Sequence, residues 1–469
     1  MTDAHVVVVG GGISGLAAAH RLRTLAPGLR VTVLEGAAQV GGKLRVSEVA
    51  GVPVDEGAEA MLNRRPEAVE LARAVGLGDD LTHPATTGAA VWTRQAIRPL
   101  PPTLMGVPTD LRALAASGIV SRAGIARARL DHVLPASRIG TDIAVGRLVT
   151  RRLGAEVNDR LLEPLLGGVY AGHARELSLR AAVPQIAALL ERGGSLLSAA
   201  AQAQAGAADD HTPVFAGIRG GVGRLPDAVA RASGADVRTH ATVRELVRSD
   251  QGWTLVLGAT NAEERVDADA VVLAVPTAPA ARLVRPHAAP TATRLAEIHY
   301  ASVAVVTFAF AREKVAGAFT GSGFLVPPVD RRAIKASTYS SNKWAWVAEA
   351  DASVVTVRTS LGRYGEEAQL QQDDVDLAAV ALADLRAAAG EVGTPLASRV
   401  TRWGGGLPQY TVGHRERVEA IREGIAALPG LAVCGAAYDG LGIPACIATA
   451  HTAATQVVDH LTKRGRIAP

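Results

Sequence analysis

Four apolar residues, Val6 to Val9, run without a break near the start of the chain and close on Gly10, Gly11 and Gly12. An unbroken run cannot alternate between core and water, so it predicts a strand covered on both faces, as in a parallel sheet. The Ala- and Leu-rich stretch from about Ile13 to Leu25 predicts a helix, ended by Pro27 and Gly28, and Val31 to Leu34 predicts a second strand. Another helix is expected from about Pro66 to Gly76. Residues 108–205 read as mostly helical, with arginines spaced along Ala- and Leu-rich segments. Ala199 to Asp209 (AAAQAQAGAAD) reads as a flexible connection of low complexity.

Strand character returns at Asp236 to Leu257 and at Ala270 to Val275, a buried strand stopped by Pro276. Ser302 to Ala311 and Ser353 to Thr359 alternate as a sheet with one face in water. Leu431 to Cys434 predicts a short strand, followed by a glycine-rich loop and a last helix from about Pro444 to Leu461. Strands of nucleotide-binding type at both ends and in the middle predict an α/β fold, with a Rossmann-like domain built from discontinuous segments. Its expected pieces are residues 1–65, 212–285 and 398–469. An α+β substrate domain is expected from 66–94 and 286–397, and a helical basic lobe over 95–211.

The length, 469 residues, suits two or three lobes better than one core. No apolar run approaches the roughly 20 residues needed to span a bilayer, and the chain starts without the charged-then-apolar order of a signal peptide. A cytoplasmic protein is expected, with peripheral membrane attachment left open. The two cysteines, Cys434 and Cys446, form no CxxC pair and read as small buried thiols. No HExxH pair is present, so no metal is expected. Charge is informative once resolved along the chain. Fourteen Arg, no Lys and eight Asp or Glu between Arg94 and Arg192 give that stretch +6, leaving about −2 for the rest of a +4 chain. Such a lobe suits an anionic substrate or membrane surface, or else is a solvated helical surface. Basic runs interleaved with aromatics are absent, which argues against nucleic acid.

The first chemical motif is Gly10-Gly11-Gly12-Ile13-Ser14-Gly15, a GxGxxG directly after a strand and before a helix. Its glycines permit a sharp turn and close backbone approach to a pyrophosphate, to which the helix adds its positive pole. Glu35, 20 residues past Gly15, can accept hydrogen bonds from ribose hydroxyls and disfavours a 2′-phosphate, so NADP is not expected. Six residues after Glu35, Gly41-Gly42-Lys43 offers a second glycine pair beside a cation. Asp55-Glu56-Gly57-Ala58-Glu59-Ala60 is a turn of small residues able to lie against a flat ring. These features resemble the flavoproteins that include amine oxidases, phytoene desaturases and porphyrinogen oxidases, and imply one non-covalent FAD.

Further runs narrow the resemblance to the protoporphyrinogen and coproporphyrinogen oxidases. They are RRLGAEVNDRLLEPLLGGVYAGHARELSLRAAVP (Arg151 to Pro184), Arg219-Gly220-Gly221-Val222-Gly223-Arg224-Leu225-Pro226, Pro408-Gln409-Tyr410-Thr411-Val412-Gly413-His414, and the loop from Cys434 to Ile447. That family usually carries Glu at the position of Asp439 and Asp at that of Ala445. By resemblance, FAD would be held by Gly10 to Gly15, Glu35, Gly42, Lys43, Gly57 to Ala60, Val243, Trp403, Gly435 and Gly442 to Ala445. Substrate would lie near Arg64, Arg65, Gly168, Val169 and Tyr170, where arginine can pair with a propionate and glycines admit a broad macrocycle. The implied reaction is three two-electron oxidations of coproporphyrinogen III to coproporphyrin III, with FAD N5 as hydride acceptor and O2 reduced to H2O2. Protoporphyrinogen IX is the alternative substrate, and more distant readings are a flavin amine oxidase or a non-catalytic FAD-fold carrier. No catalytic triad or carboxylate dyad is seen. Ferrochelatase or another haem-pathway enzyme is a logical recipient of a photoreactive product.

Overall fold

The computed structural model describes residues 4–136, 139–205 and 212–467. Its organising element is a five-stranded parallel sheet, whose order across the sheet is Asp236–Arg238, Arg30–Leu34, His5–Val9, Ala270–Leu273, Leu431–Val433. The Val6–Val9 run is central, and the reason for its unbroken apolarity is visible. Val6 and Val8 pack toward helices Ile13–Leu25 and Ile443–Lys463. Val7 and Val9 pack the other way, against Leu246, Trp253 and Leu255 of a three-stranded antiparallel layer. The sheet is thus assembled from strands more than 400 residues apart in sequence, since Val7 pairs with Val271 and Val271 with Leu431.

The second sheet has seven strands in the order Ala397–Pro408, Tyr300–Ala311, Val354–Leu361, Ile334–Thr338, Gly323–Leu325, Ala89–Thr93, Ala96–Pro99. All neighbours are antiparallel except Gly323–Leu325 with Ala89–Thr93. The expectation that Ser302 to Ala311 leaves one face in water is corrected here. That strand is buried along nearly its whole length. Val306, Phe308 and Phe310 pack under helix Asp374–Ala389 through Leu377, Ala381 and Leu385, while Val303 and Val305 face an internal cavity. The face that alternation would have left to solvent turns Val303 and Val305 toward this cavity.

Helices between Leu111 and Ala205 form a third body around Leu148, Leu153, Leu161, Leu166 and Ile186. Inside it the Arg152 guanidinium is paired with buried Asp131, whose carboxylate also accepts from Leu197 N at 2.9 Å. Helix Leu196–Ala205 occupies the first part of the expected flexible connection. Ala and Gln sustain a helix well, and Leu196, Leu197, Ala199 and Ala200 bury one face of it. Residues 206–209 of that expectation lie outside the described residues. Among the described residues, no helix is long and apolar enough to cross a membrane.

Candidate functional site

A cavity of about 780 Å³ runs from the glycine turn after the first strand to the edge of the helical body, with the seven-stranded sheet as its second wall. Its nucleotide end is built by close backbone packing. A Cβ on Gly15 would fall 1.9 Å from Gly10 O, and Gly10 itself sits at φ +110°, where a side chain would meet Ala274 O at 2.6 Å. The second glycine turn lies against the first, with Gly41 N donating to Gly11 O at 2.8 Å. Helix Ile13–Leu25 starts at Gly12 with no side-chain cap and no acidic residue in its first turn. Its first amides therefore face the cavity without an internal anion, which is the arrangement that holds a phosphate group. Glu35 closes this end. Its carboxylate accepts from Gly11 N at 2.6 Å and Ala37 N at 2.8 Å, and Val243 lies beside it in the lining. Lys43 lines the same region without a counter-ion among the described residues, and burial lowers its pKa.

The middle of the cavity is framed by the turn Gly57 to Ala60. Gly57 is forced, because a Cβ there would lie 1.9 Å from Lys43 O and 3.3 Å from the Trp403 ring. Trp403 Nε1 donates to Glu56 O at 3.1 Å. Glu59 does not present a free carboxylate. It accepts from Lys343 Nζ at 2.6 Å and from Arg358 Nη1 at 2.8 Å. Burial pushes its pKa up, but the two cations outweigh that and hold it at about 2. Arg358 also donates to Gly57 O, so Glu59 braces the turn through Arg358. Opposite, helix Ile443–Lys463 begins at Gly442, again without a side-chain cap, and points its positive pole at the cavity through Leu441 and Ile443.

Two family-like runs prove to be braces. Asp55 accepts from Val222 N at 3.1 Å and Gly223 N at 2.9 Å, and burial raises its pKa to about 6 against those amides. Gly223 allows this, since a Cβ there would lie 2.5 Å from the Arg45 backbone. In Pro408 to His414, Gln409 Nε2 donates to Tyr170 O at 2.7 Å, filling the space above Gly172. Tyr410 OH donates to Ala436 O at 2.6 Å and accepts from Gly440 N at 2.8 Å, clamping the loop before the last helix. His414 stacks on Tyr410 with centroids 3.8 Å apart, and burial pushes its pKa down to about 4.

Of the residues singled out in the sequence for the cofactor, Gly10, Gly12, Ile13, Ser14, Glu35, Gly42, Lys43, Gly57 to Ala60, Val243, Trp403, Gly435 and Ile443 line this one cavity. Gly11, Gly15, Gly442, Pro444 and Ala445 do not line it and belong to the turns and helix start that shape it. Gly168 and Val169 line the far end, whereas Arg64, Arg65 and Tyr170 are absent from the lining. Arg64 is exposed and Arg65 pairs with Glu67 at 2.6 Å. Tyr170 is buried in the helical body, tilted against Tyr410. Asp439, one of the two departures, is paired with Arg422 on the outside of the loop. The cavity also contains residues that no motif signalled, among them Arg282, Tyr300, Lys335, Thr338 and Arg358. They sit on strands and helices with no sequence punctuation around them.

A parallel-sheet dinucleotide end joined to a broad chamber under a second sheet defines a flavin-dependent oxidoreductase architecture. Residues 13–458 match the family described as flavin containing amine oxidoreductase, and the chain belongs to that family. Within it, the chain is 39% identical to the coproporphyrinogen III oxidase of Mycobacterium tuberculosis, covering 98% of this chain and 99% of that relative. It is 31% identical to the coproporphyrinogen III oxidase of Bacillus subtilis, covering 97% and 98%. A solved Exiguobacterium structure assigned as a protoporphyrinogen oxidase superposes with a TM-score of 0.86 at 29% identity, covering 98% of this chain and 99% of that one.

Proposed function

We propose that this protein oxidises coproporphyrinogen III to coproporphyrin III with FAD and O2, releasing H2O2. The observation that carries the proposal is one continuous cavity joining Glu35 to Gly168 and Val169, in a chain similar along its full length to coproporphyrinogen III oxidases. The residues present fit FAD. The uncapped start of helix Ile13–Leu25 and the abutting glycine turns suit a diphosphate, Glu35 suits a ribose, and the start of helix Ile443–Lys463 suits the electron-rich pole of a flavin. When bound, FAD supplies a two-electron acceptor for hydride from a meso methylene and a route for those electrons to O2. The chain's own work is to orient and to exclude water. Gly57, held by Arg358 and Glu59, keeps the ring site flat, and Val303, Val305 and Leu407 make its second wall apolar. Gly168 and Val169 close the far end on a broad, side-chain-poor surface. No lining residue is assigned as proton acceptor.

The +6 charge between Arg94 and Arg192 favours the substrate with four propionates over protoporphyrinogen IX with two through long-range attraction only, since none of those arginines among the described residues lines the cavity. Protoporphyrinogen IX oxidation is the second reading, favoured by the likeness to the Exiguobacterium structure. Transfer of product to a ferrochelatase would protect a photoreactive porphyrin. Peripheral attachment to an anionic membrane is supported by exposed Leu130, Val133 and Leu134 beside Arg127 and Arg129. The deciding experiment is aerobic kcat/KM of the FAD-loaded protein on the two porphyrinogens, followed by porphyrin fluorescence. Preference for coproporphyrinogen III is expected. Preference for protoporphyrinogen IX selects the second reading, and activity on neither overturns both.

A further inference from the structure

Strand Ile334–Thr338 breaks alternation at one point. Ile334 pairs with Leu361 and Ala336 with Ser360, so the strand carries an extra residue, a bulge, at Lys335. Bulges re-aim side chains, and here the result is specific. Ile334 enters the core under helix Asp374–Ala389, whereas both Lys335 and Ala336 line the cavity. Counting back from Ala336 without the bulge would bury position 335 in that core. Lys335 is 5% exposed; its backbone oxygen accepts from Val326 N at 2.9 Å, but its ammonium has no hydrogen bond or ion pair among the described residues. Its strand packs against helix Glu163–Tyr170, which places it at the Gly168–Val169 end of the cavity, away from the nucleotide turn.

Among the described residues, no carboxylate of the cavity wall or of the helix packed on this strand is free to neutralise it. Glu59 is committed to Lys343 and Arg358. Glu163, on the helical body, accepts from Ala174 N at 2.9 Å and pairs with His173. Glu35 is held by two amides at the opposite end. The charge that acts on Lys335 is of the same sign, that of buried Arg363 just beyond strand Val354–Leu361. Arg363 itself faces Val326 O and, more distantly, Glu366. A buried, uncompensated cation destabilises a fold, so a ligand that supplies the missing anion is the economical explanation.

We propose that Lys335, with the Arg363 guanidinium behind it, forms a carboxylate subsite that receives one propionate of the substrate, an assignment that rests on the porphyrinogen reading above. Burial and Arg363 together push the free lysine down to about 7, and a carboxylate arriving beside it favours the ammonium form. Binding therefore takes up a proton and weakens as pH rises through neutrality.

The test uses the FAD-loaded full chain and the product coproporphyrin III, whose binding is read by fluorescence between pH 6 and 9 at fixed ionic strength. K335M is expected to weaken binding at pH 6.5 by at least about tenfold and to flatten the pH slope, while kcat for coproporphyrinogen III changes less than KM. K335R is expected to recover affinity yet keep the slope flat, because arginine stays charged. The comparison with K335R removes any contribution from titration of the porphyrin itself. K335M with wild-type affinity and slope overturns the subsite. Should K335M not fold, a K335R protein that keeps the wild-type slope overturns it as well. A wild-type protein that oxidises porphyrinogen beside an unaffected K335M condemns the subsite alone, whereas a wild-type protein that oxidises no porphyrinogen removes the functional reading and the subsite together.

Discussion

The two walls of the cavity do their work by opposite means. The nucleotide wall is backbone: Gly10, Gly12 and Gly42 bring bare amides and helix ends to the surface, and its main side-chain contribution is Glu35. The seven-stranded wall is side chains: Val303, Val305, Lys335 and Thr338 project from its strands. A wall of amides suits a constant, anionic group, since its geometry is fixed by the turn. A wall of strand side chains can change one residue at a time without disturbing the fold, which suits substrate discrimination. The boundary between them is the Gly57–Ala60 turn, braced from the sheet side by Arg358 and Lys343 through Glu59.

The boundary is the first place to break this contrast. E59Q leaves two buried cations without their carboxylate and is expected to cost about 3–5 kcal/mol, seen as a lower melting temperature and loss of flavin absorbance. Unchanged melting and flavin content would show that the brace is dispensable. On the backbone wall, G15A drives a Cβ into Gly10 O and is expected to cost about 3 kcal/mol, with apoprotein purified in place of flavoprotein. An equivalent Ala at Gly168, where a Cβ finds only Leu325 Cδ2 at 3.4 Å, should retain FAD, and equal flavin loss in both would erase the distinction between the two ends.

The clamp behind the last helix gives the smaller effects. His414 ordinarily takes a proton near 6.5, but burial holds it neutral in the fold down to about 4. Between those values the unfolded chain binds the proton and the folded chain does not, so stability falls as pH drops. The stability advantage of wild type over H414Q should therefore shrink by about 2 kcal/mol from pH 7 to pH 5, measured by paired denaturant titrations, and a constant gap would contradict the burial argument. Y410F removes hydroxyl bonds to Ala436 O and Gly440 N and is expected to cost about 1 kcal/mol with faster flavin release in a stopped-flow chase. Release at the wild-type rate would place the clamp outside cofactor retention.

How much of this was legible follows the same division. Gly10 to Gly15, Glu35 and Gly42-Lys43 are close together in sequence because one strand–turn–helix presents them, so spacing alone found that end of the cavity. The discontinuous parallel sheet was legible for a related reason, as strands buried on both faces read as unbroken apolar runs. Runs such as Gly168 to Gly172 and Pro408 to His414 were legible as family-like, but their roles were not. Gly172 is small because Gln409 occupies its side-chain space, and Tyr170 packs into the helical core. Arg64 and Arg65 drew attention because the resemblance places a basic residue near the substrate there, and nothing in their sequence distinguishes a ligand from an exposed helix start. Lys335 was invisible because its orientation depends on a one-residue pairing shift with Ser360 and Leu361, a property of two strands and not of one.

The central strand His5–Val9 has a further consequence, for how the molecule is made. Its neighbours on one side are Arg30–Leu34, emerging at once, and on the other Ala270–Leu273, which in turn waits for Leu431–Val433. Helix Ile13–Leu25 likewise finds its principal partner in helix Ile443–Lys463. During synthesis, the nucleotide half can begin but cannot close until residues 431–463 leave the ribosome, and such distant pairings fold slowly and stay exposed to aggregation meanwhile. Clipping the final helix should then yield an insoluble chain and not a trimmed enzyme, and supply of the flavin during translation should raise the yield of soluble protein.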